Sequence, residues 1–284
     1  MERIGVVGCG LMGSGIAEIA ARAGSEVVVV ERDAQALAAG RARIEKSLSR
    51  AVAAGKMAEE LAESTRAHLT FSEEFGVLFD RELVIEAVAE DEAVKVDVFE
   101  RLDRIVTDRD AILATNTSSI PIIKLAMVTS RPENVVGVHF FNPVPVLKLV
   151  EIISSLLTSP ETTRRVTEYA SGPLAKKAIT SKDRAGFVVN ALLIPYLLSA
   201  IRMLESGFAS AEDIDNGMVL GCAHPLGPLA LTDLIGLDTT LAVADSLYAE
   251  FKESHLAPPP LLSRMTQAGL LGRKSGQGFY SYKS

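Results

Sequence analysis

The feature that most constrains this chain is Gly8-Cys9-Gly10-Leu11-Met12-Gly13, read with its flanks. Ile4-Gly5-Val6-Val7 precedes it as a short apolar run of strand character, and residues 14–23 follow with a helical pattern. At a strand-to-helix turn each glycine of G-x-G-x-x-G has a task. The first permits the tight turn, the second lets the backbone approach a pyrophosphate, and the third lets helix and strand pack closely. The helix N-terminus adds N–H groups and partial positive charge for phosphates. A plain glycine-rich turn is the bland reading, and the strand–turn–helix context argues against it.

Further strand candidates lie at 26–30, 83–87, 111–115, 135–140 and 149–153, with helical stretches such as 34–54 and 92–106 between them. This βαβ alternation implies a parallel sheet covered on both faces. Near 183–186 the style changes. Apolar helical patterns follow at 187–204, 211–220, 229–251 and 259–268, and the only further strand candidate is 278–282. Pro195 is expected to break or kink the first of these helices. The fold expected is α/β: a Rossmann-type doubly wound sheet with a helical excursion over residues 1–184, then an all-α domain over 185–284.

With 284 residues and 48% hydrophobic content, two ordinary domains with buried cores fit, and disorder does not. A net charge of −7 speaks against a broad nucleic-acid surface, and the absence of Trp against base-stacking platforms. Two cysteines, Cys9 and Cys222, supply neither a disulfide framework nor a four-ligand zinc site, so no metal is expected and a reducing cytoplasm is the simplest compartment. No apolar run reaches the ~20 residues of a spanning helix, so no membrane partner is expected. Met1-Glu2-Arg3 leads straight into the first strand, without the apolar core of a secretion signal.

The second strand ends at Glu31, 18 residues beyond Gly13. A carboxylate there accepts hydrogen bonds from ribose hydroxyls and repels a 2′-phosphate, which favours NAD. Arg32 keeps NADP open, because a guanidinium beside the ribose attracts that phosphate. Asn116-Thr117-Ser118-Ser119 and His139-Phe140-Phe141-Asn142-Pro143 each follow a strand, and Glu151 lies 12 residues past His139. Strand carboxyl ends face the cofactor side of such a sheet, so polar residues there converge on the reacting ring. Removing a hydride from an alcohol needs a base, for which His is suited near neutral pH, with a carboxylate to orient it. The bland readings are that Ser118 or Ser119 caps a helix starting at 120, and that His68, His224 and His255 are structural.

The ordered set Gly-Cys-Gly-Leu-Met-Gly (8–13), Ile-Glu-Ala-Val (85–88), Asn-Thr-Ser-Ser (116–119), His-Phe-Phe-Asn-Pro-Val-Pro-Val (139–146) and Leu-Val-Glu (149–151) resembles the L-3-hydroxyacyl-CoA dehydrogenase family, most closely its short-chain branch. Gly-Phe-Val-Val-Asn (186–190), His-Pro-Leu-Gly-Pro (224–228) and Gly-Arg-Lys-Ser-Gly-Gln-Gly-Phe-Tyr (272–280) extend the likeness to essentially the whole chain. The resemblance implies NAD-dependent, reversible oxidation of an (S)-3-hydroxyacyl-CoA, with 3-hydroxybutyryl-CoA as the short-chain substrate, in fatty-acid β-oxidation or butanoate metabolism. It implies His139 as base, Glu151 as its partner, Ser118 on the reacting oxygen and Asn190 on the thioester carbonyl. Gly8, Cys9, Gly10, Leu11, Met12, Gly13, Glu31, Glu90, Lys95, Ser118, Asn142 and Lys274 would hold the cofactor. Ser47 and Lys56, on the helical excursion, would meet coenzyme A. The C-terminal helices would close over the acyl chain and form a homodimer. Ala191 stands where relatives often have Arg, Ala185 where they often have Pro, and 171–177 departs from their usual Leu-Gly-Lys turn. Two alternatives stand beside this reading: an L-gulonate-type dehydrogenase of the same architecture, and a non-catalytic NAD-binding protein.

Overall fold

The computed structural model describes residues 1–282. The apolar run at the N-terminus forms β1 (Arg3–Val7), which leads through α1 (Leu11–Arg22) to its parallel neighbour β2 (Glu26–Val30). Next come α2 (Ala34–Ala53), α3 (Glu59–Ala67), β3 (Leu69–Ser72), β4 (Leu83–Glu86), α4 (Glu92–Ile105), β5 (Ile112–Thr115) and α5 (Ile122–Ala126). β6 (Val135–Phe140), β7 (Leu149–Ser154), α6 (Pro160–Ser171) and β8 (Lys177–Lys182) complete the first of two compact units, Met1–Arg184.

The sheet order is β3-β2-β1-β4-β5-β6-β7-β8. Strands β6 and β7 run antiparallel and every other neighbouring pair is parallel. The chain moves outward from β1 to β3 and then returns to β4 on the other side. That reversal opens the crevice at the strand carboxyl ends where doubly wound sheets bind ligands. Val6, Val84 and Leu113, in the central strands, are wholly buried, as covering on both faces requires. Strands β3 and β8 lie at the two edges and carry polar, half-exposed residues, so they make no apolar run for a sequence reading to find.

Helix α2 starts where Asp33 accepts the Ala36 N–H at 2.7 Å, a side-chain N-cap. It buries Gly40, Ile44 and Leu48 at helical spacing. A Cβ at Gly40 would lie 2.5 Å from Cys9 Sγ, so this helix sits directly against the glycine loop. Neither Ser118 nor Ser119 caps α5. The helix begins two residues later than expected, and the Asp183 carboxylate accepts the Ile122 and Ile123 N–H groups at 3.0 and 2.8 Å.

The second unit, Ala185–Ser284, holds α7 (Val189–Glu205), α8 (Ala211–Cys222), α9 (Pro228–Ile235), α10 (Leu237–Phe251) and α11 (Pro260–Gln267). Gly186 has φ +74°, and a Cβ there would meet the Ala191 nitrogen at 2.8 Å, so the turn into α7 needs glycine. Helix α7 is unbroken across Pro195. Proline inside a helix costs roughly 3 kcal/mol. Burial of Ile194, Leu197, Leu198 and Ile201, at about 1.5–3 kcal/mol each, exceeds it. The helical pattern at 229–251 is two helices parted at Gly236, φ +103°. Residues 278–282 form no strand; only isolated bridges join Gly272 to Gln277 and Gln277 to Ser281. The Asp233 carboxylate pins this segment by accepting the Phe279 and Tyr280 N–H groups, each at 2.9 Å. No helix among the described residues is long and apolar enough to cross a membrane.

Candidate active site

At the carboxyl end of β1, Gly8 has φ +90°, and a Cβ on it would meet the Ala87 carbonyl oxygen, after β4, at 2.7 Å. A Cβ on Gly13 would lie 1.8 Å from the Gly8 oxygen, so helix and strand touch there. A Cβ on Gly10 would meet nothing within 4 Å. That is a cradle with its outer side open to a ligand. Gly10 also caps α1 without any side-chain hydrogen bond, which leaves first-turn N–H groups for an anion. Leu11 is exposed and Met12 half-buried beside this opening. These features fit a dinucleotide pyrophosphate.

Glu31 lies just past the end of β2, beside this cradle. Its carboxylate accepts the Cys9 N–H at 2.6 Å and the Arg32 N–H at 3.0 Å. Cys9 is buried, and burial first, then the Glu31 charge, push its thiol up to about 12. Cys9 therefore contributes backbone and packing, not a thiolate. Arg43 on α2 donates to the Cys9 carbonyl at 3.3 Å, a contact absent from the sequence reading. The exposed Arg32 guanidinium turns to Asp33 at 3.1 Å.

His139 lies on β6 and Glu151 on β7, and the antiparallel register sets them directly opposite. Side chains so paired share one face of the sheet. His139 Nδ1 is 2.7 Å from the Glu151 carboxylate, which is wholly buried. Its Nε2 is 3.2 Å from Ser118 Oγ, and the Phe141 ring meets it edge-on at 4.7 Å. The structure thus brings three residues together from three segments: 118 after β5, 139 on β6 and 151 on β7. Asn116 Oδ1 accepts the Phe140 N–H at 3.0 Å and ties the loop after β5 to the end of β6.

Glu90 faces the same loop. Its Oε1 accepts the Thr117 hydroxyl at 2.6 Å, the Ser118 N–H at 2.8 Å, and the Ser119 N–H and hydroxyl at 3.1 and 3.0 Å. Lys95, buried in α4, stands 3.3 Å from its Oε2. Partial burial alone would raise the Glu90 carboxyl, but the Lys95 ammonium and the loop donors hold it below its ordinary value.

Asn142 is exposed just past β6, before a cis peptide to Pro143. Lys176 donates to the Val144 and Leu147 carbonyls at 2.5 and 2.6 Å and so holds the segment after Asn142; burial, then Arg22, lowers its ammonium. Of the residues expected to meet coenzyme A, Ser47 is half-buried on α2, while Lys56 is exposed past the helix end. In the second unit Asn190 is half-buried in the first turn of α7, and Lys274 pairs with Asp238 at 2.5 Å. The other histidines have local partners: His68 the Ser64 carbonyl, His224 the Tyr196 hydroxyl and His255 Glu253. Among the described residues no group of His, Cys, Asp and Glu could hold a metal ion.

Residues 3–184 match the family model described as 3-hydroxyacyl-CoA dehydrogenase, NAD binding domain, and residues 186–282 the model of its C-terminal domain. A 3-hydroxybutyryl-CoA dehydrogenase of Mycobacterium tuberculosis is 58% identical over 282 residues, 99% of each chain. The human mitochondrial hydroxyacyl-coenzyme A dehydrogenase is 42% identical, over all of this chain and 92% of its own. The crystal structure of an (S)-3-hydroxybutyryl-CoA dehydrogenase from Ralstonia eutropha superposes with a TM-score of 0.95 at 45% identity, covering both chains fully. With both family models matched in order and a histidine held between serine and glutamate in the same sheet as the cradle, the chain belongs to the 3-hydroxyacyl-CoA dehydrogenase family.

Proposed function

We propose that this protein catalyses the NAD-dependent, reversible oxidation of a short-chain (S)-3-hydroxyacyl-CoA, 3-hydroxybutyryl-CoA first among them, to the 3-ketoacyl-CoA. The observation that carries this reading is the Ser118–His139–Glu151 array at the carboxyl end of the sheet. NAD, when bound, supplies the hydride acceptor. Glu151 takes the Nδ1–H of neutral His139, which leaves the Nε2 lone pair to accept the proton of the 3-hydroxyl. The same carboxylate steadies the imidazolium formed as hydride leaves. Ser118 Oγ, within reach of Nε2, orients the reacting oxygen. In reduction the imidazolium returns the proton.

Asn190 is assigned to the thioester carbonyl, and Glu90, Lys95, Asn142 and Lys274 to the cofactor, on the strength of the family resemblance. NAD rather than NADP is favoured because Glu31 faces the cradle while Arg32 is paired with Asp33. Coenzyme A, met by Ser47 and Lys56, provides remote binding energy that orients the reacting end. A homodimer through the second unit is part of the reading, supported by exposed apolar residues there such as Phe208 and Leu220. So are a cytoplasmic location and a place in fatty-acid β-oxidation or butanoate metabolism.

Initial rates with acetoacetyl-CoA and free acetoacetate, each with NADH and NADPH, test the assignment. The thioester with NADH should be far the best pair. Equal turnover of the free acid would favour an enzyme of the gulonate type, and no turnover by a protein that binds NADH would mark a non-catalytic relative.

A further inference from the structure

Glu86 ends β4 inside the motif Ile-Glu-Ala-Val, and the mechanism above does not use it. It is wholly buried, and so is its partner Lys95, 2.6 Å away. One carboxylate oxygen takes that ammonium and the Val88 N–H at 2.7 Å, and the other takes the Thr115 hydroxyl at 2.7 Å. Thr115 Oγ1 in turn accepts the Thr117 N–H at 3.1 Å. The Lys95 ammonium also reaches Glu90, whose other oxygen gathers four donors from Thr117, Ser118 and Ser119. The contacts close a ring: Glu86, Lys95, Glu90, Thr117, Thr115 and back to Glu86.

Both ends of the loop that carries Ser118 hang from this ring. Thr115 ties the near end directly to Glu86. The far end is tied through Glu90, which is partly exposed and would be a loose anchor if Lys95 were free to swing. A buried ammonium with one half-exposed partner would be poorly compensated. Glu86 supplies the second charge and fixes the direction of Nζ. The Glu86 carbonyl also accepts the Asn116 N–H at 2.8 Å, and Asn116 holds the Phe140 N–H beside His139.

We propose that Glu86 is a positioning residue for the dehydrogenase reaction: acting through Lys95, Glu90 and Thr115, it sets Ser118 Oγ against His139 Nε2. This rests on the proposed activity. A misplacement of about an ångström at a reacting group costs up to about a hundredfold in rate. Glu86→Gln keeps the shape and removes the charge. It should lower kcat on acetoacetyl-CoA by about ten- to a hundredfold with the thioester KM nearly unchanged.

The deciding readout is coupling. If Glu86 works through Glu90, Glu86→Gln with Glu90→Gln should be no slower than the slower single variant. A merely structural role predicts that the two losses multiply. Multiplied losses, or a folded Glu86→Gln enzyme with native kcat, would overturn the proposal. Should Glu86→Gln not fold by circular dichroism, Thr115→Val opens the ring at its uncharged joint and is paired with Glu90→Gln in the same cycle. The NADH dissociation constant, titrated by fluorescence on the same variants, should show the same non-additivity. If the native protein binds NADH but leaves acetoacetyl-CoA untouched, the activity assignment fails by itself, and additive losses on NADH affinity would overturn the ring separately.

Discussion

The glycine cradle and the imidazole site lie at the carboxyl ends of strands β1 and β6 of one sheet and are built in opposite ways. The cradle is one contiguous turn made of backbone. Its shape depends on what is missing, since a Cβ at Gly8 or Gly13 would strike a main-chain oxygen. The imidazole site is made of side chains from three segments, held by strand pairing and buried carboxylates. The cradle should thus fail sterically, in folding or affinity. The imidazole site should fail chemically, in rate, with the fold intact.

The largest expected effect is at His139. His139→Gln should cut turnover by about 10²–10⁴-fold, the range of a positioned acid–base group, while Tm and NADH affinity stay near native. A folded variant with native rates would end the mechanism, and a large fall in Tm with near-native turnover would recast His139 as a packing residue.

Two cradle variants sharpen the contrast. In Gly13→Ala the new methyl would overlap the Gly8 oxygen, and no side chain can move to relieve it. A stability loss of roughly 2–4 kcal/mol, read by denaturant unfolding, is expected. Gly10→Ala adds its methyl to open space, so stability should hold while NADH affinity falls. Equal unfolding midpoints for the two variants would contradict the steric account.

Glu31→Ala should narrow the preference for NADH over NADPH. Like-charge repulsion of a 2′-phosphate there is worth at least about 1–3 kcal/mol, roughly 5- to 150-fold. If the native protein uses both cofactors equally, Arg32 rather than Glu31 governs the choice.

The smallest effect is the acid behaviour of Glu90. Its carboxyl is held below the ordinary value, so its contribution to stability is complete above the unfolded value, about 4.3. That contribution fades as pH falls through the folded value. The Tm gap between native protein and Glu90→Gln should be present at neutral pH and close on acidification. It should be modest, because the side chain is 39% exposed and screened by water. A gap that widens in acid would reverse the sign argued here.

The sequence by itself determined whatever is local. A strand, three glycines and a helix occupy adjacent residues, so their contacts need no distant partner, and the cradle is legible in residues 4–23. The buried central strands were legible for a similar reason, since a sheet covered on both faces demands apolar runs. His139, Glu151 and Ser118 could be named from the motifs that resemble a known family, yet nothing in their spacing says that β6 and β7 run antiparallel and set 139 opposite 151. Tertiary structure alone decided that pairing, the edge strands β3 and β8, and the capping of α5 by Asp183 from some sixty residues away. It alone decided the continuity of α7 through Pro195, where burial outweighs the missing hydrogen bond. Glu86 shows the limit most sharply. In sequence it is one acidic residue within an apolar run, and only the folded chain surrounds it with Lys95, Val88 and Thr115. A buried charge takes its role from partners brought by other strands and helices, and local sequence does not specify which partners arrive.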